Sequence, residues 1–127
     1  MKKVLITGGI FAMLCVAIGA FGAHALKDIL GTSASTFETG VQYQMFHSIG
    51  ILVCGLLLMK ENSRLYTAAA VLFSIGIILF SGSLYTLSIT KISILGMITP
   101  FGGVAFLAGW LCLIIGAARC STAKLIF

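Results

Sequence analysis

Four long apolar runs are set apart by short polar interruptions, and the pattern predicts membrane-spanning helices at about 4–26, 36–59, 65–87 and 99–118. The first run follows Lys2 and Lys3 and closes on Ala23-His24-Ala25, so it imitates a secretory leader with a small-residue cleavage site. Its apolar stretch of about 23 residues exceeds the roughly 7–15 of a leader core and reads as a retained span. Lys27 to Ala34 is a connector of small and polar residues. Ser35 and Glu38 then match the S-x-x-E box that caps a helix start, which places the start of the second helix near Thr36 and lets it run to Met59. Lys60 to Arg64 makes a tight turn, and Ser88 to Gly96 links the third run to the fourth. Thr99-Pro100 opens that last helix, because proline is tolerated in a first turn.

Small residues within each run are spaced to hold one helix face. Gly8, Ala12, Cys15, Gly19 and Ala23 do so in the first, and Gly102, Ala105, Gly109, Cys112 and Gly116 in the fourth. The second carries Gly40, Tyr43, His47, Gly50 and Cys54 at the same spacing, and the third Ala69, Gly76 and Ser83. Lipid supplies little hydrophobic drive between helices, so association depends on close backbone approach at such stripes. The expected fold is an all-α integral membrane protein, a compact left-handed four-helix transmembrane bundle forming one domain over residues 1–127.

Composition supports that class: 60% of residues are hydrophobic and 9% charged, against roughly 25% charged in a soluble domain. The net charge of +5 does not point to nucleic acid, since the basic residues are dispersed and no aromatic platform accompanies them. Four spans place Lys2, Lys3, Lys60, Arg64, Arg119 and Lys124 on one side and Lys27 and Lys91 on the other. The positive-inside rule then puts both termini in the cytoplasm. Cys15, Cys54, Cys112 and Cys120 lack metal-ligand spacing, and the three inside apolar runs read as small packing residues.

Tyr43 and His47 interrupt the stripe of the second helix with polar groups. Gln44 lies within about 60° of that face, whereas Gln42 points away and is set aside. Counted from the inner boundary, His47 comes at about 18 Å, Tyr43, Gln44 and Ser81 at 22–24 Å, Ser83 at 27 Å, and His24 and Thr99 at 28–30 Å. These seven residues are the candidate ligand-binding set, expected to line a polar funnel in the outer half with His47 near its floor and His24 near its rim. Ser81-Gly82-Ser83 is read as two hydroxyls bonding back to carbonyls one turn earlier in preference to a helix break. Trp110 lies too deep for an interfacial belt and is read as packing.

For His47 the first reading is an interhelical hydrogen bond to Gln44, Ser81 or a backbone carbonyl that fixes helix register, followed by a ligand or partner contact, then a metal. His24, His47 and either Glu38 or Asp28 would be the metal ligands, but none has local ligand spacing and the histidines differ by about 10 Å in depth. No metal or cofactor is assigned. Catalysis could nominate only Tyr43 with His47 and has no activated nucleophile, so the chain is read as a non-enzyme.

The stretches GAFGAHALK (Gly19 to Lys27), FETGVQYQMFH (Phe37 to His47), LFSGSLY (Leu79 to Tyr85), TPFGG (Thr99 to Gly103) and Gly109-Trp110 together resemble the "domain of unknown function 423" family of small bacterial inner-membrane proteins, to which animal transmembrane protein 256 is related. The resemblance covers nearly the whole chain. It implies a multi-pass protein of the bacterial inner membrane with four spans, and no activity. The leading functional expectation is a non-enzymatic membrane protein, surrounded by membrane lipids, whose funnel takes a small amphipathic ligand such as a lipid or quinone-like molecule, or a partner's side chain. The alternatives are a structural accessory subunit of a larger membrane complex and a small oligomeric transporter or channel.

Overall fold

A computed structural model describes residues 1–120, which contain helices and turns and no strand. Among the described residues, four helices are long and apolar enough to cross a membrane: Lys2–His24, Lys27–Lys60, Arg64–Thr90 and Ser93–Arg119. They are called the first to fourth spans below. Lys124, which entered the charge count by side, lies outside the described residues.

The second span starts earlier than its capping signal implies. Lys27–Leu30 forms one α-turn, Gly31–Ser33 a 3-10 turn, and the main helix then runs over Ala34–Lys60. Gly31, at φ +51, makes the bend between the two turns. The Ser35–Glu38 capping box does not form: Ser35 already lies inside the helix, and its carbonyl accepts a hydrogen bond from Thr39 Oγ1 at 3.0 Å. The reason is local. The 3-10 turn carries the chain directly into the helix and engages the first amide, with Ala34 N–H donating to Gly31 O, so no side-chain cap is required there.

The third span is continuous but not uniform. Arg64–Gly76 and Gly82–Thr90 are α-helical, and Ile77–Ser81 between them is a π-turn. The fourth opens on the 3-10 turn Ser93–Met97, and its α-helix starts at Thr99, with Pro100 in its first turn as the sequence predicts.

The spans pack in chain order, first on second, second on third and third on fourth, while the first and fourth share no packed interface. The second and third are therefore central. Their glycines receive aromatic rings from neighbouring spans. Phe73, fully buried, lies against Gly50 of the second span and Gly109 of the fourth, so one ring wedges into two helices at positions where a methyl group would collide with it. Phe106 fills the notch left by Gly76, and Gly102 lets the fourth span meet the backbone of Phe80. This is the close approach that the small-residue stripes predict. The stripe of the first span is enclosed only in part: Gly8 and Cys15 are buried and Ala12 and Gly19 half-buried, whereas Ala23 is exposed and its neighbour Gly22, outside the stripe, is buried instead. Phe11 of that span contributes its carbonyl to Gln44, and Cys15 Sγ donates to Val41 O at 3.3 Å.

A clasp joins the two connectors at one end of the bundle. Lys91 adopts the left-handed conformation at φ 62, and its Nζ donates to Leu30 O at 2.6 Å and to Ser33 Oγ at 2.8 Å. The opening turns of the second span are thereby tied to the turn after the third.

Candidate functional site

The seven sequence-predicted residues do not line one funnel. Gln44 and Ser81 lie within the helix interfaces, and their polar groups are spent on neighbouring spans. Gln44 Nε2 donates to Phe11 O at 2.9 Å and its Oε1 accepts from Tyr85 Oη at 2.6 Å, so one amide ties the first, second and third spans together. Ser81 Oγ donates to Gly40 O of the second span at 2.6 Å instead of bonding back along its own helix. Ser83 Oγ does bond back, to Phe80 O at 2.9 Å, and meets Thr99 Oγ1 of the fourth span at 2.6 Å. Ser81 and Ser83 can both be buried because the third span is central, with the second span against one serine and the fourth against the other. His24 is exposed at the end of the first span, apart from the buried His47. Buried polar groups in lipid have no water to bond, which is why these side chains close onto neighbouring helices and leave no shared polar space.

What remains is a cavity of about 730 Å³ between the second and fourth spans. Tyr43 and His47 are the two predicted site residues that line it. Its walls are largely aromatic, with Phe46, Phe80, Phe106 and Trp110 alongside them. It opens sideways on the lipid-facing surface, where Phe46, Val104 and Leu107 are 59%, 64% and 71% exposed. Tyr43, expected to turn inward, is 43% exposed at this opening, and its ring packs on Phe80 at 4.5 Å between centroids. Its hydroxyl has no hydrogen-bond partner among the described residues. Gln42, set aside from sequence, lines the rim, because the crevice wraps onto the exposed flank of the helix that Gln42 occupies.

His47 forms the floor and is fully engaged. Trp110 Nε1 donates to its Nε2 at 2.9 Å, while Nδ1 lies 2.8 Å from Tyr43 O. An indole N–H can only donate, so Nε2 is an acceptor and the imidazole proton sits on Nδ1, directed at the Tyr43 carbonyl. Phe106 stacks on the imidazole face at 3.6 Å and 7°. The partner expected across spans was Gln44, Ser81 or a backbone carbonyl; the carbonyl His47 meets is that of Tyr43 on its own helix, and the partner across spans is Trp110, which was not expected. Its sequence signal was present, since Gly103, Phe106 and Trp110 fall at steps of three and four on one helix face. No spacing rule, however, relates that face to His47 on another span.

Among the described residues no three His, Cys, Asp or Glu side chains gather as a metal-ligating group. Both nitrogens of His47 are occupied by hydrogen bonds, and Cys54, fully buried, packs in the apolar core around Phe73.

The family described as "Protein of unknown function (DUF423)" matches residues 18–103. The UPF0382 membrane protein YwdK of Bacillus subtilis (strain 168) is 47% identical over 122 residues, covering 94% of this chain and 98% of the relative. A UPF0382 membrane protein of Staphylococcus epidermidis is 46% identical over 120 residues, at 94% and 98%. The UPF0382 inner membrane protein YgdD of Escherichia coli (strain K12) is 38% identical over 119 residues, at 93% and 91%. No solved structure matches the chain. With four helices long and apolar enough to span a membrane, and relatives named as membrane and inner-membrane proteins that match along almost their whole length, the chain is a multi-pass bacterial inner-membrane protein and belongs to the DUF423 family.

Proposed function

We propose that this protein is a non-enzymatic membrane protein whose side-opening crevice holds the apolar part of a small amphipathic ligand drawn from the bilayer. One observation carries the reading: a cavity of about 730 Å³, walled by aromatic rings, opens to lipid between the second and fourth spans with the Tyr43 hydroxyl, unpartnered among the described residues, at its mouth. Tyr43 and Gln42 supply polar groups at the entrance, and the satisfied His47–Trp110 pair makes a floor with no free donor. A ligand polar at one end and apolar at the other fits this gradient. His47 serves there as a strut between spans, and the other predicted polar residues serve as interhelical ties. By the positive-inside assignment the crevice lies in the outer half of the membrane.

Gly103 provides the test. It lines the crevice, and a β-carbon there meets only Phe80 Cδ2, at 4.0 Å, so Gly103→Phe has room at its β-carbon to place a ring in the cavity. Wild type purified in gentle detergent should carry a small molecule in native mass spectrometry, and Gly103→Phe should lose it at an unchanged melting temperature. A bare wild-type monomer, or retention unaffected by the filled crevice, would overturn the reading. A co-purifying protein in its place would favour the accessory-subunit alternative.

A further inference from the structure

We infer that the Lys27–Glu38 end of the bundle seats the headgroup of an ethanolamine phospholipid, one of whose chains enters the aromatic crevice. The chain placement rests on the crevice reading above; the headgroup placement has its own evidence.

A second cavity, of about 450 Å³, lies between the first and second spans, with Gly22 and Phe37 in its apolar wall and Lys27, Glu38 and Gln42 among its lining residues. Lys27 and Glu38 form no ion pair with each other or with any described residue, although both line this one space. Two opposite charges that share a cavity without closing on each other fit a group carrying both signs. A lone carboxylate beside an ammonium does not suit a divalent cation, which needs several oxygen ligands. A phosphodiester accepts hydrogen bonds from the Lys27 ammonium, and a primary ammonium donates to the Glu38 carboxylate.

Gln42 connects the two cavities, since it lines both. Glu38, Gln42 and Phe46 follow at steps of four along the exposed flank of the second span, over about 12 Å of rise. Their order is carboxylate, amide, aromatic ring. A phospholipid presents charged headgroup, ester carbonyl and hydrocarbon in that same order. Gln42 Nε2 then faces the ester carbonyls, which are acceptors, and Phe46 leads the chain toward Trp110. A glycerol headgroup would offer Glu38 no cation, and a choline headgroup has no N–H to donate to it.

The full-length protein in nanodiscs of ethanolamine, glycerol and choline phospholipids at equal proportion provides the test, with retained lipid read by native mass spectrometry. Wild type should retain the ethanolamine lipid about tenfold over either competitor, equivalent to about 1.4 kcal/mol. Glu38→Gln should bring that preference close to parity, and Lys27→Gln should lower retention of all three. Both side chains are exposed, and melting temperatures confirm folding. Equal retention of the three headgroups by wild type, or a preference unchanged by Glu38→Gln, would overturn the headgroup inference. If that happens while Gly103→Phe still empties the crevice, the crevice reading stands alone. If the preference holds but Gly103→Phe changes nothing, the headgroup site stands and the crevice reading falls.

Discussion

Trp110 of the fourth span donates its indole N–H to Nε2 of His47 on the second at 2.9 Å, and Phe106, four residues before Trp110, stacks on the same imidazole. The two spans are joined here by ring contacts and one hydrogen bond, since helical backbone contact between them is sparse. This junction is also the floor of the crevice, so the same atoms hold the spans together and define the cavity.

A double-mutant cycle isolates the junction. His47→Phe and Trp110→Phe each keep a ring in place, and the hydrogen bond they share should appear as a coupling of about 1 kcal/mol. Reversible unfolding in mixed micelles measures it. Strictly additive single-mutant losses would show that the bond contributes nothing to joining the spans.

Glycines separate into those that receive a neighbour and those that do not. Gly102→Ala would drive a methyl group into the Phe80 backbone and should cost about 1–3 kcal/mol by overpacking. Gly9→Ala meets nothing within 4 Å and gains helix propensity, so it should be neutral or stabilising by up to about 1 kcal/mol. Thermal melts of the two variants side by side are the check, and equal losses would contradict this packing of the third and fourth spans.

Lys91 ties the two connectors through Leu30 O and Ser33 Oγ. Lys91→Met removes both bonds while keeping the aliphatic stem, so amide exchange over Lys27–Leu30 and Gly31–Ser33 should accelerate several-fold and the spans themselves should keep their protection. Exchange mass spectrometry at peptide resolution reads this. Unchanged exchange on the connector would show that the clasp does not hold it.

The distribution of basic residues predicts that a reporter fused after Phe127 stays in the cytoplasm. Reporter pairs active on only one side of the membrane decide it, and an external signal would reverse the orientation together with the leaflet assigned to the crevice.

Much of the fold was legible because the signals are local. The apolar runs located the spans, and Pro100 marked the start of the fourth helix. Small-residue spacing identified Gly50, Gly76, Gly102 and Gly109 as contact positions, all of them buried. The errors at helix level arose where a local rule met a local competitor: the Ser35–Glu38 box was bypassed by a preceding 3-10 turn, and a π-turn ends on Ser81 at the Ser81-Gly82-Ser83 stretch, read from sequence as back-bonding in preference to a break. At the site, the depth count grouped Gln44, Ser81, Ser83 and Thr99 with Tyr43 and His47, since all lie on one half of the chain's vertical scale. Depth carries no information about azimuth.

By itself the sequence determined the class, the number of spans, the contact faces and the fact that His47 sits inside a helix that must satisfy it, because hydropathy and helical period are properties of single segments. Only the tertiary structure decided that Trp110 is its partner, that Gln44 ties the first and third spans, and that an aromatic crevice opens beside Gln42 and Tyr43. Those outcomes depend on the relative rotation of packed helices. That rotation is set jointly by rings such as Phe73 and Phe106 finding glycines on other spans, and no one segment encodes it.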